Sequence, residues 1–156
     1  MAASTVTTAE LQVVVFELGA ERYGLDIATV YEIIRHQPIT AIPNAPSFVE
    51  GVINLRGRIV PIVDLKARFG MGQTEVTPSS RIMVVEAGAR VGLVVDAVSE
   101  VLMVPQDAIE PTPELAAGVD ADYLRGIARL QERLVILLDL ANLFRPDERT
   151  ALAETM

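Results

Sequence analysis

Apolar residues fall in short runs broken by Gly, Pro and polar clusters, the spacing of strands and tight turns rather than of helices. Residues 11–18, LQVVVFEL, are apolar and β-branched, and Gly19-Ala20 turns them into ERYGLDI at 21–27, a hairpin signal. VYEIIR at 30–35 alternates, with Tyr31 and Ile33 opposite Val30, Glu32 and Ile34. TAIPNAPSFVEG at 40–51 holds Pro43 and Pro46 and cannot be regular strand. GVINL (51–55) and RIVPIV (58–63) are joined by Arg56-Gly57, a tight turn in which Gly takes positive φ. Pro61 removes a ladder donor, so its strand is an edge there or bulges. DLKARFG at 64–70 predicts a short helix with Asp64 as its cap, where a carboxylate accepts backbone N–H bonds and meets the positive end of the helix dipole.

The pattern then starts again. GVINLRGRIVPIVDLKARF (51–69) recurs without a gap as GIARLQERLVILLDLANLF (126–144), with seven identities in nineteen positions, among them Gly51/Gly126, Arg58/Arg133, Asp64/Asp139 and Phe69/Phe144. A weaker echo aligns RYGLDIATVYEII (22–34) with RVGLVVDAVSEVL (90–102), pairing Gly24 with Gly92 and Glu32 with Glu100. The chain reads as two copies of one β-rich unit. Five short strands per copy suggest small closed barrels, which leave no exposed edge. The division expected along the chain is a flexible tail at 1–10, a first barrel at 11–70, a polar linker at 71–80, a second barrel at 81–145 and a short C-terminal helix at 146–156. Residues 105–124, acidic and Pro-bearing, are an insertion in the second copy, expected as a loop with one helical turn.

Composition narrows the function. Hydrophobic residues make up 51% but aromatics only 4%, so the core is aliphatic. The absence of Cys rules out disulfides, thiolate nucleophiles and Cys-ligated metal. No apolar run is long enough for a bilayer, and MAASTVTTAE lacks the charge and apolar stretch of a secretory signal, so a cytoplasmic protein with no direct membrane contact is expected. A net charge of −8 argues against nucleic-acid binding. The sign reverses within 51–70, where Arg56, Arg58, Lys66 and Arg68 face only Asp64. Twelve of the thirteen basic residues are Arg, which follows either from genomic composition or from the preference of protein interfaces for forked donors. His36 is the single histidine and has no nucleophile partner; no phosphate loop or metal spacing is present. No catalytic residue, metal site or cofactor is expected, although dispersed carboxylates leave an enzyme or a small-ligand-binding barrel as the reading from another class.

The copies differ most at the hairpin tip. Asn54-Leu55-Arg56-Gly57 in the first copy is Arg129-Leu130-Gln131-Glu132 in the second, so a cationic tip becomes an acidic one. Either the function is asymmetric and lives there and on the third strand, or the tip is a solvated turn that varies freely. At these residues the chain resembles the chemotaxis coupling proteins, the CheW family, through YGLDIATVYEII, IPNAPSFVEGV and GVINLRGRIVPIVDL, and over about residues 11–144. The resemblance implies a mostly β fold of two intertwined five-stranded SH3-like barrels, no enzymatic activity, and a scaffold linking the cytoplasmic tips of methyl-accepting chemoreceptors to the regulatory domain of the histidine kinase CheA. It implies receptor-binding positions at Val30 and Glu32, at Asn54 and Arg56 of the N-L-R-G turn, and at Gly51 and Val101. It assigns no kinase-contacting residues. Gly51 recurs as Gly126, which also fits a purely structural role. The length suggests a stand-alone coupler, associated with receptor arrays through its partners; a coupler for twitching motility or another output is the variant within the family. Arg56 on its turn is expected to project into solvent and offer its forked donors to an acidic or carbonyl-rich receptor surface.

Overall fold

Alternating side chains make each strand a two-faced ribbon, and the glycines and prolines of the chain set where each ribbon turns. The computed structural model describes residues 10–111, 123–130 and 133–155. The first copy supplies β1 (Glu10–Leu18), β2 (Glu21–Asp26), β3 (Val30–Arg35), β4 (Gly51–Leu55), β5 (Arg58–Asp64) and the short helix α1 (Leu65–Arg68). The second supplies β6 (Arg81–Glu86), β7 (Arg90–Val95), β8 (Ala97–Pro105), β9 (Ile109–Glu110), β10 (Leu124–Leu130), β11 (Arg133–Leu138) and α2 (Leu140–Leu143). A C-terminal helix, α3 (Pro146–Thr155), follows. The insertion opens with a 3-10 turn at Gln106–Ala108 and adds β9; its residues 112–122 lie outside the described residues, as do the tip residues Gln131 and Glu132 and most of the expected N-terminal tail.

The strands form two sheets, one ordered β8-β1-β2-β11-β10-β9 and one ordered β3-β6-β7-β5-β4. Each sheet mixes strands of both copies, so the barrels are intertwined and neither coincides with a repeat unit. Barrel boundaries drawn at 11–70 and 81–145 follow the repeat, whereas the sheets cut across it. Residues 30–95 contain every strand of the second sheet, and the first is built from the two flanking segments. The chain therefore passes between sheets twice, once through the 3-10 turn Ile27–Thr29 and once at Asp96 between β7 and β8. Segment 71–80, expected to join two barrels, connects two strands of one sheet.

Register shows why the repeat was readable. In β4–β5, Gly51 faces Ile62 and Leu55 faces Arg58; in β10–β11, Gly126 faces Leu137 and Leu130 faces Arg133, the same pairs one repeat later. The parallel contacts repeat as well, Gly92 beside Ile62 and Gly24 beside Leu137. β5 lies between β4 and β7, but its pairing to β7 begins only at Ile62, so Pro61 is an edge on that side and no donor is lost.

The core has three parts. Val13, Val15, Val104, Ala128, Val135 and Leu137 fill the split barrel. Ile53, Val60, Ile62, Ile82, Val84 and Val94 fill the contiguous one. A larger cluster lies between them and takes in Phe16, Tyr23, Phe69 and Phe144 with Leu25, Met83, Leu93 and Leu152. Six of the seven aromatics thus serve the contact between barrels, and the seventh, Tyr31, is exposed beside Arg90. Phe16, Tyr23, Phe69 and Tyr123 form a run of ring contacts with centroids 5.7–6.0 Å apart.

Candidate functional site

The N-L-R-G turn is a two-residue hairpin turn in which Arg56 has φ 51° and Gly57 φ 84°. Both values suit the right-handed twist of a hairpin, but only glycine adopts them freely. An L-residue such as Arg56 costs about 1–2 kcal/mol in this region. Two contacts hold it there. The Asn54 side-chain oxygen accepts the Gly57 N–H at 2.8 Å and closes the turn. The Arg56 guanidinium donates Nη1 and Nη2 to one oxygen of Glu32, Oε2, at 3.1 and 2.5 Å.

Glu32 sits mid-strand in β3, on the face that Ile34 shares, while a register shift between Val30 and Glu32 turns Val30 toward the central core; the Glu32 side chain is 26% exposed against 67% for Arg56. β3 and β4 are the two ends of the five-stranded sheet, and the ion pair ties them where the sheet rolls shut. Ile34 and Leu55 pack on the same interior beneath it. The expectation that Arg56 projects into solvent agrees with its exposed side chain. The side chain is exposed, yet its fork is committed to Glu32, because β3 and the β4–β5 tip meet at the barrel seam.

The other candidates are placed differently. Val30 is half-buried and packs against the central core. Gly51 is buried, and a Cβ there would lie 2.3 Å from the Thr40 carbonyl oxygen, so its place is set by close backbone approach. Gly126 in the second copy is closed in the same way by Ile109 and Glu110. Val101 is half-exposed, on the outer side of β8 in the other barrel. The structure brings Glu32, Asn54 and Arg56 into one site, turns Val30 to the central core, and sets Gly51 and Val101 apart.

The second copy keeps the seam with a different donor. Glu100, the repeat mate of Glu32, accepts from Arg133 at 2.6 Å, and Arg133 is the mate of Arg58 rather than of Arg56. Arg58 itself makes no ion pair among the described residues, and lines a groove of about 550 Å3 with Ile59, Glu86, Gly88 and Arg90.

Asp64 accepts the N–H groups of Lys66 and Ala67 and so caps α1, and it also takes the Thr74 N–H at 2.9 Å and hydroxyl at 2.8 Å. Asp139 caps α2 through the Ala141 N–H and accepts from its neighbour Asn142. Only the first of the two carboxylates pins a distant segment.

Sequence reasoning missed Arg68. It lies at the end of α1 with its side chain 10% exposed, ion-paired to Glu148 of α3 at 2.5 Å and donating to the Leu143 carbonyl at 3.1 Å. The rings of Phe48, Tyr123 and Phe144 stand 5.3–5.5 Å from its guanidinium carbon. Glu148 also accepts the Arg145 N–H at 2.9 Å. Burial pushes its carboxyl up, but the hydrogen bonds from Arg68 and Arg145 and their charges outweigh this and hold it below the usual range. The signal was present in the repeat: Arg68 stands where the second copy has Leu143.

Two small sheets with aliphatic interiors, a shared core and no grouping of metal ligands among the described residues define a double-barrel protein whose distinctive chemistry lies on its surface. A family model described as the CheW-like domain matches residues 12–148, and the chain belongs to the CheW family. It is 42% identical over 135 residues to the chemotaxis protein CheW of Klebsiella aerogenes, covering 86% of this chain and 81% of that protein. It is 39% identical to the chemotaxis protein CheW of Rhizobium meliloti, covering 96% and 97%. The crystal structure of the scaffolding protein TtCheW from Thermoanaerobacter tengcongensis is similar with a TM-score of 0.80 and 42% identity, covering 92% and 93%. The family is one of non-enzymatic chemotaxis scaffolds that act through protein contacts. No helix among the described residues is long and apolar enough to cross a membrane.

Proposed function

We propose that this chain couples the cytoplasmic tips of methyl-accepting chemoreceptors to the histidine kinase CheA, with the Glu32–Asn54–Arg56 seam as part of its receptor-binding surface. One observation carries the placement. An arginine is held at positive φ on an exposed turn, where glycine or asparagine would sit with less strain, and two other side chains maintain it there. Both Nη groups of Arg56 end on one oxygen of Glu32, so Arg56 Nε and the second carboxylate oxygen remain for a polar partner on the same surface. Val30 anchors the start of β3 on the central core and Val101 adds an exposed aliphatic contact on the other barrel. The chain works in the cytoplasm, brought to the membrane by its receptors.

A ligand-binding barrel is the weaker reading, because each barrel interior is closed by its own six buried aliphatic residues. The test is a reconstituted mixture of receptor fragment, kinase and this protein. Arg56→Glu should keep its circular dichroism and melting temperature and lose receptor binding and kinase activation. Combining Glu32→Arg with Arg56→Glu should restore the pair and not the coupling, if the partner reads the cation where it now stands. Full coupling by folded Arg56→Glu would overturn the proposal.

A further inference from the structure

We propose that α3 is a releasable strap, and that the aromatic-walled pocket around Arg68 is a carboxylate-accepting site which Glu148 fills when the strap is closed. The inference is independent of where the receptor binds. It starts from the cost of burying charge. Arg68 and Glu148 have side chains only 10% and 7% exposed, and taking two ions from water is repaid only by good geometry and full hydrogen bonding. The bonding is incomplete, since Arg68 Nε is buried and has no acceptor among the described residues. The fold does not require a charge there. At the matching position of α2 the second copy carries Leu143, fully buried. A guanidinium kept where an aliphatic residue fits calls for a role other than packing.

The site is built for an anion on an apolar neighbour. Three rings face the guanidinium, at distances where the ring faces attract a cation. Beside the guanidinium, Ser47, Phe48, Glu50, Asp64 and Gln73 line a depression of about 300 Å3 that Arg68 shares. Asp64 is occupied by α1 and Thr74, so it does not compete for Arg68.

A helix of ten residues is marginal alone, so its order comes from docking. Glu148 and Leu152 are the buried side chains that α3 presents to the protein, one turn apart. Arg149 adds a bond to the Phe144 carbonyl at 3.3 Å and lies over Gly88 at the β6–β7 turn. Pro146 supplies the first helical residue without needing an N–H partner, and exposed Arg145 is the joint behind it. Such an element opens at lower free energy than the barrels. Opening leaves Arg68 without its carboxylate.

Hydrogen exchange on the full chain tests the strap. Amides of α3 should exchange through local opening, well before those of β1, β6 and β7. Glu148→Gln keeps the shape and removes the charge. It should weaken α3 protection by about tenfold, the scale of a lost charge-assisted bond, with strand protection unchanged. A synthetic peptide of residues 143–155, titrated into full-length Glu148→Gln, should bind saturably and about tenfold tighter than to the wild type, whose site is filled. The same peptide carrying Glu148→Gln should bind about tenfold more weakly. Exchange of α3 together with the strands, unchanged protection in Glu148→Gln, or equal binding of both peptides would each overturn the proposal.

Discussion

Helices α1 and α2 close the same hairpin in two copies, and they end differently. Each starts from a capping aspartate and finishes in a phenylalanine that enters the central core. One residue before that phenylalanine, α2 has Leu143, which packs, while α1 has Arg68, which reaches out to Glu148 and to the carbonyl of Leu143 itself. Identical residues mark what the fold needs twice, and the position where a charge replaces an aliphatic marks what it needs once. The same holds at the caps, where Asp64 binds Thr74 and Asp139 only its own helix.

The largest test asks whether a copy is a unit at all. Residues 1–75 contain β1 to β5 but lack β6 and β7, which stand between β3 and β5 in their sheet. That fragment should show no cooperative melting and should aggregate, since it exposes the central cluster as well. A monomeric, cooperative fold from it would mean that the exchanged strands are dispensable.

Next come the paired phenylalanines. Phe144 is 1% exposed and Phe69 8%, both in the central cluster. Phe144→Ala should destabilise by about 3–5 kcal/mol and Phe69→Ala by somewhat less, the range for an emptied core site. Denaturant melts of the two variants check the order. Equal and small losses would show that the barrels do not depend on the cluster between them.

These two expectations differ in how far the sequence carried them. Hairpin registers were legible because a gap-free repeat of glycines and aliphatics preserves which face each strand residue occupies. Gly51 and Gly126 occur at the same place for a local reason, a close backbone neighbour. The exchange of strands was not legible from pattern. That β11 lies beside β2 is decided by contacts more than a hundred residues apart, such as Ile136 with Tyr23. The seam between Glu32 and Arg56 was hidden likewise, since the two residues meet only when the sheet rolls up.

The caps sharpen the comparison at smaller scale. Asp139→Ala loses a helix cap and should cost about 1 kcal/mol; Asp64→Ala also frees Thr74 and should cost about 2 kcal/mol. Thermal melts of the two single variants measure the gap. If the losses are equal, the contact of Asp64 with Thr74 contributes nothing.

Acid should release the asymmetric helix. The Glu148 carboxyl is held below its ordinary range in the folded chain, so its contribution is present above the unfolded carboxylate pKa and disappears as pH falls through the lowered folded value. The charges facing it are Arg68 and Arg145, with Asp147 beside Arg145. Hydrogen exchange of α3 should therefore accelerate with acid before that of the strands, and Glu148→Gln should abolish the difference. An acid limb that survives in Glu148→Gln would assign it to another carboxylate.

The smallest effect is expected at Arg56, where two opposed terms nearly cancel. Replacing an L-residue at φ 51° by glycine relieves about 1 kcal/mol of backbone strain. The same change removes an ion pair whose arginine is 67% exposed, and such pairs contribute about 0–1 kcal/mol after screening. Arg56→Gly should thus melt within about 1 kcal/mol of the wild type, on the stable side, and high salt, which screens the pair only the wild type has, should widen the difference. Glu32→Ala keeps the strain and loses the pair, so it should fall slightly below the wild type. Together the two variants separate strain from pairing. If Arg56→Gly instead destabilised the protein by more than the strain it relieves, the seam would be a structural clasp, and its exposed arginine would need no partner to explain it.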